Sequence, residues 1–119
     1  MYRVVNRTRG TVLGTRVREA RTFTSRLGGL LGSRGLSPGE GVWIAPCRCV
    51  HTVGMRFPID VAFVDGRGAV IGVSGALPPN RISRFVRGAR GALELPAGTL
   101  AETGTGIGDV LAFVEPGLP

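Results

Sequence analysis

Lysine is absent from this chain of 119 residues, and cysteine (two), histidine (one), tryptophan (one) and tyrosine (one) are scarce. Each shortage excludes something. Two cysteines cannot build a disulfide framework, and a bond between the Cys-x-Cys neighbours Cys47 and Cys49 would close a strained ring. Reduced thiols, as in the cytoplasm, are the simplest expectation. No apolar run approaches the roughly 18 to 20 residues of a membrane span. The opening MYRVVNRTRG has no apolar h-region, so nothing marks it for secretion, and a cytoplasmic location is expected. No glycine-rich segment is followed by Gly-Lys-Ser/Thr, so Gly98, Gly104, Gly106 and Gly108 read as turns rather than a phosphate loop. There is no internal repeat and no linker. A chain of this length forms one domain, 1–119.

Basic charge is plentiful but uneven. Residues 1–34 carry eight arginines against Glu19 alone, while the remaining seven arginines are matched by seven acids. The formal net charge of +7 therefore belongs to the N-terminal third. Two readings stand. The face is simply solvated, or it meets an anionic partner, nucleic acid or a membrane surface, through Arg3, Arg7, Arg9, Arg16 and Arg18. No aromatic residues interleave with these arginines to stack on bases, which disfavours single-stranded nucleic acid.

Twenty glycines and eight prolines predict short strands joined by tight turns. Strands are expected over Tyr2–Asn6, Thr11–Ala20, Gly41–Ala45, Ile59–Asp65, Ala69–Ser74, Ala92–Leu95 and Val110–Glu115. Asp65-Gly66-Arg67-Gly68 marks a hairpin. Thr22 or Thr24 can cap a short helix over residues 24–32, with Leu27, Leu30 and Leu31 on one face. Arg81 to Arg90 allow two readings: a solvated loop, or a second amphipathic helix that Asn80 caps and Gly88 breaks, with Arg81, Arg84, Arg87 and Arg90 as a basic face that could hold phosphate or carboxylate. The fold class is all-β, a compact β-sandwich or barrel of about seven strands with a helical insert.

The chemistry concentrates in residues 46–65, PCRCVHTVGMRFPIDVAFVD. On an extended backbone Cys47, Cys49 and His51 leave the same face. Thiolate and imidazole are good zinc ligands, yet positions i and i+4 of a straight strand lie about 13 Å apart, too far for one ion. A zinc site needs a bend, or a further ligand such as Asp60, Glu94 or Asp109. A nucleophilic Cys49 with His51 beside it is the second option, and it requires a depressed thiol pKa. The third is packing: two semi-buried cysteines and a hydrogen-bonded histidine. Asp60 and Glu94 each interrupt an apolar strand. Alternation turns both toward water. If covered, they need partners, and as a pair they suit general acid/base work.

Four motifs resemble the bacterial and archaeal family known as domain of unknown function 192. They are Arg21-Thr22 through Gly29-Leu30-Leu31-Gly32-Ser33-Arg34, the Phe57-Pro58-Ile59-Asp60 strand running into Asp65, Leu93-Glu94-Leu95-Pro96-Ala97-Gly98, and Gly108-Asp109. Many members carry Trp-Met-Lys-Asn-Thr before the Pro-Leu-Asp step, where this chain has His51-Thr52-Val53-Gly54-Met55 preceded by Cys-x-Cys. The resemblance implies a jelly-roll-like β-sandwich with a short helix, and no established reaction. The resulting expectation is a non-catalytic binding or accessory module whose site comprises Arg34, Cys47, Cys49, His51 and Asp60, with no cofactor required. The alternative is a thiol- or metal-dependent enzyme using Cys49 and His51, with Asp60 or Glu94 assisting.

Overall fold

Alternating apolar residues bounded by glycine turns produce seven strands in the computed structural model, which describes residues 1–20 and 35–115. They are β1 (Tyr2–Asn6), β2 (Thr11–Ala20), β3 (Glu40–Ile44), β4 (Ile59–Val64), β5 (Val70–Leu77), β6 (Gly91–Pro96) and β7 (Leu111–Val114). A single short helix among the described residues, α1, spans Thr99–Thr103. The helix expected over residues 24–32, and Arg34 with it, lie outside the described residues. The all-β expectation is met. The ladders join all seven strands into one sheet of order β5-β4-β6-β3-β2-β1-β7, parallel only between β2 and β3.

The sheet curls until its edges meet at one end. Ala69 bridges Val110 across the two edge strands, the Val70 N–H donates to the Asp109 carbonyl at 2.8 Å, and the Leu111 N–H donates to the Gly68 carbonyl at 2.8 Å. Hydrogen-bonding part of both edges in this way blunts the usual liability of open ladders. Gly68 is obligatory at this seam: its φ is +88°, and a Cβ there would lie 2.7 Å from the Leu111 carbonyl oxygen.

Curling separates two cores. Val4, Leu13, Val17, Ala62, Val64, Val70, Leu93, Leu95, Leu100 and Leu111 form one cluster. Because it draws on both edge strands, it fills the inside of the curl. The opposite face of β3, β4 and β6 contributes Val42, Ile44, Ile59, Val61, Phe63 and Ala92 to the second cluster. Cys47, Val50, Met55, Val86 and Ala89 cover that face from two irregular segments, 45–57 and 78–90. All six residues of β4 are consequently buried, as a strand sandwiched between two cores must be.

Two expectations fail. Of the two readings of residues 81–90 the helix fails, and the segment is a loop without regular structure. Ser83, Val86 and Ala89 are buried while the residues between them are exposed, a period of three rather than 3.6. The segment is an irregular strap with a turn at Arg87-Gly88, hydrogen-bonded to residues 47–52: Ser83 N–H to the Val50 carbonyl (2.8 Å), Val86 N–H to the Arg48 carbonyl (2.7 Å) and Cys47 N–H to the Arg90 carbonyl (3.0 Å). The four arginines read as a helical face instead line the outer side of this strap. The second failure is the glycine-rich run. Gly98 (φ 97°) and Gly104 (φ 67°) do make turns, but they bracket α1, where turns alone were expected.

Candidate functional site

The Cys47 to His51 segment is not a strand. It leaves β3 through a cis Ala45-Pro46 bond and runs irregularly beneath the strap. The same-face expectation fails with it. Cys47 is buried beside Val42 and Ile44, while Cys49 and His51 are exposed. The Cys47 thiol donates to the Cys49 carbonyl at 3.1 Å, and the Cys49 thiol to the Ser83 carbonyl at 3.5 Å. His51 makes a backbone bridge to Ile82. Among the described residues, no three His, Cys, Asp or Glu side chains gather closely enough to hold a metal ion.

Buried hydroxyls fix the strap to this segment, and sequence reasoning did not find them. Thr52, fully buried, donates its hydroxyl to the Pro78 carbonyl at 2.6 Å and accepts from the Arg81 N–H at 2.9 Å. Ser83 accepts from the Val50 N–H at 3.0 Å and donates to the Arg84 carbonyl at 3.0 Å. In an irregular segment these bonds replace the ladder that a regular strand would supply.

Asp60 and Glu94 do not converge. In the β4–β6 ladder Val61 faces Glu94 and Asp60 faces Leu95, so the two carboxylates leave opposite sides of the sheet. Neither points to water, contrary to the alternation reading. Asp60 is 2% exposed. Its Oδ1 accepts from the Ala76 N–H at 2.7 Å, and its Oδ2 from the Gly98 and Leu100 N–H groups at 3.1 and 2.8 Å. It thus satisfies a β5 bulge residue at φ 48° and the otherwise unpartnered first turn of α1. Its role is to lock three chain segments together.

Glu94 is 6% exposed and lies among Val42 and Val61 on the outer core. Burial pushes its carboxyl up to about 7, against the pull of the half-buried Arg18 guanidinium in the same cross-strand row. Asp109, like Asp60, has three hydrogen-bond donors. The Asn6 amide (3.0 Å), the Gly106 N–H (3.0 Å) and Arg9 (3.4 Å) hold its carboxyl below the usual range, the Asn6 bond contributing most. Asn6 is itself fully buried, so this cluster fixes β1 to the seam.

One open groove adjoins the cysteines. It measures about 720 Å³ and is lined by Pro46, Cys47, Arg48, Cys49, Phe85 and Arg90, among others. Arg48 and Arg90 are exposed, and no acid lines the groove with them. Phe85 is 64% exposed. The combination of two guanidiniums, an aromatic ring and an exposed thiol is what the irregular segment and the strap build together.

Residues 4–113 match the sequence model of the domain of unknown function 192 family, described as an uncharacterized ACR. The chain belongs to this family. Two crystal structures share the fold seen here. One, a protein of unknown function from Novosphingobium aromaticivorans DSM 12444, is 23% identical with a TM-score of 0.82, over 94% of this chain and 84% of that one. The other, described as a putative transcription regulator from Sinorhizobium meliloti 1021, is also 23% identical, with a TM-score of 0.76 over 94% of this chain and 91% of its own. Among curated proteins none matches the chain. The segments that carry the resemblance, Ile59-Asp60 and Leu93-Glu94-Leu95, lie on β4 and β6, the strands buried between the two cores.

Proposed function

We propose that the protein is a non-catalytic binding module whose site is the groove between residues 46–49 and the strap, and that the groove takes a small anionic ligand with an apolar part. The observation that carries this is the lining: Arg48 and Arg90 beside Phe85, with no carboxylate to neutralise them. Paired guanidiniums suit a phosphate or carboxylate, and an exposed ring suits an apolar or aromatic portion of the same ligand. Cys47 and Cys49 remain in the site by position, and His51 stands outside the groove lining. Asp60 leaves the site, because its oxygens are occupied by backbone N–H groups.

Phenyl phosphate is a suitable probe. Titration calorimetry should show it binding more tightly than inorganic phosphate or phenol, and Arg48→Gln with Arg90→Gln should abolish the difference. Equal, weak binding of all three probes, unchanged in the double variant, would sink the reading. The arginine substitutions are clean, because the hydrogen bonds at these positions use the main chain.

The enzyme alternative draws less support, since Cys49, His51, Asp60 and Glu94 are spread over a surface segment and two faces of the sheet. Zinc at Cys47, Cys49 and His51 draws little, because one thiol is in the core and the others are exposed. Anion binding through the N-terminal arginines is supported by the exposure of Arg3 and Arg7, and weakened by acids that face Arg9 and Arg18. We also read the curled sheet as jelly-roll-like, its two ends acting as opposed layers over the inner core. No helix among the described residues is long and apolar enough to cross a membrane. A cytoplasmic location is the reading that suits an exposed Cys49 thiol.

A further inference from the structure

Two long stretches of this chain carry no acid. Residues 41–59 and 66–93 hold seven arginines and His51, without a single Asp or Glu. All seven arginines are exposed, and none forms an ion pair among the described residues. The strap and the 45–57 segment are hydrogen-bonded to each other, so much of this charge is presented on one side of the molecule. The same surface carries exposed apolar tips. Ile82 is 71% exposed, Phe85 64% and Val53 53%, and Val53 lies in the turn whose Gly54 N–H donates to the Asn80 side chain at the start of the strap.

The three-residue period explains how both features arise. Ser83, Val86 and Ala89 face the core, Arg81, Arg84 and Arg87 form one outer row, and Ile82 and Phe85 form the adjacent row. Charge and apolar tips are therefore interleaved along a single edge rather than segregated.

We infer that this edge docks onto an anionic phospholipid surface. Charge complementarity requires a negative partner, and the apolar tips require that partner to offer an apolar layer just beneath its charge. A bilayer with acidic headgroups offers both over one plane, with arginines at the headgroups and Ile82 and Val53 at the acyl boundary. A nucleic acid offers phosphates and base faces, on which Phe85 can stack, but aliphatic Ile82 and Val53, exposed on the same surface, cannot. This inference goes beyond the groove reading, and its test uses Arg81, Arg84, Arg87 and Ile82, none of which lines the groove.

Co-sedimentation of the full chain with vesicles tests it. Phosphatidylcholine vesicles containing phosphatidylglycerol should carry the protein down, and phosphatidylcholine alone should not. Arg81→Gln, Arg84→Gln and Arg87→Gln should each weaken binding by about fivefold. Ile82→Ser should weaken it about tenfold without altering the charge. Each variant must keep the wild-type melting temperature and phenyl phosphate response, so that lost vesicle binding is not lost folding or a lost groove. Three results overturn the inference: no binding to anionic vesicles at low salt, an Ile82→Ser variant that binds as wild type does, or displacement from vesicles by a single-stranded oligonucleotide or polyglutamate at matched charge. Vesicle binding that persists when phenyl phosphate fails to bind discards the groove reading alone.

Discussion

Replacing Asp60 by alanine removes the acceptor of three backbone N–H groups in a position 2% exposed to solvent. Hydrogen bonds to a charged group contribute about 1.5 to 3 kcal/mol each, and buried donors left without an acceptor bear their full desolvation penalty. At the low end, three such bonds sum to about 4.5 kcal/mol, reduced somewhat because the carboxylate no longer has to be desolvated. A loss of about 3 to 4 kcal/mol is expected from a total that for a domain of this kind is about 5 to 15 kcal/mol. Urea denaturation should show it as a lower midpoint with an unchanged slope, and the melting temperature should fall by about 12 to 16 °C. Asp60→Asn is the discriminating variant. Its oxygen can still serve Gly98 and Leu100, while its NH2 meets the Ala76 N–H, so about 2 kcal/mol is expected. Phenyl phosphate binding should survive in Asp60→Asn below its melting temperature. If Asp60→Ala changes stability by less than about 1 kcal/mol, or if Asp60→Asn keeps full stability and loses the probe, the carboxylate is not the anchor described.

Glu94 makes stability depend on pH, because its folded carboxyl is raised from 4.5 to about 7. The unfolded state releases this proton first, so stability is full below about 4.5 and is lost as pH rises toward about 7. Urea midpoints should show that Glu94→Gln flattens this slope and gains up to about 3 kcal/mol at pH 8, and an unchanged slope would refute the assignment. Asp109 acts in the opposite direction: its depressed carboxyl stabilises the fold above its ordinary 3.8 and loses that contribution as the pH falls through its lower folded value. Asp109→Asn should therefore lessen the acid-side slope seen in the same measurement. Gly91→Ala places a Cβ 2.5 Å from the Trp43 ring and 2.6 Å from the Ile44 carbonyl. It should cost about 2 to 3 kcal/mol and shift tryptophan emission, since Trp43 packs on Phe113 at 4.7 Å and has to move. A disulfide-exchange reagent should find Cys49 in the native protein and Cys47 only on unfolding, and equal rates would contradict the burial difference.

The strands were legible because their signals are local. β1 and β2 occupy the expected residues, and β4 to β7 shift by only a few positions, since alternation and glycine turns act within a few neighbours. Strand existence could be read, but burial on both faces could not. Asp60 and Glu94 look like outward residues because alternation assumes one wet face, whereas β4 and β6 are covered on both. The five-residue helix α1 escaped notice for a related reason. Its residues Thr99–Thr103 are too few for a periodic signal, and the side chain that serves its first turn, Asp60, lies some forty positions away in sequence. The strap misled differently. Apolar spacing of three and four is shared by a helix and by an irregular segment that touches the core at every third residue. What separates them is the outer row. Ile82 and Phe85 would be core residues in an amphipathic helix, yet they are the most exposed apolar side chains of the strap.

Charge illustrates the limit of counting along a sequence. By residue number the surplus belongs to the N-terminal third, and the rest of the chain appears neutral. Folding moves the acids. Asp109 comes to Arg9 across the seam, and Glu94 comes into the row of Arg18. Glu40, held low first by the Ser37 N–H, also lies within the field of Arg16. Three of the five N-terminal arginines expected to meet an anionic partner thus have an acid of this chain nearby. Four of the seven acids that balanced the later arginines on paper, Glu40, Asp60, Glu94 and Asp109, are spent at those sites or buried, as Asp60 is by its three N–H donors, while Asp65, Glu102 and Glu115 stay outside the strap and the 45–57 segment. The strap arginines are left exposed and without an ion pair among the described residues. Since exposed charges interact only over a Debye length of about 8 Å at physiological ionic strength, it is the local surface that a partner meets, and the net count has little bearing on it. The basic surface of this protein is therefore a product of topology, and it lies beside the Cys47 to His51 segment rather than at the N-terminus where the arginines are densest.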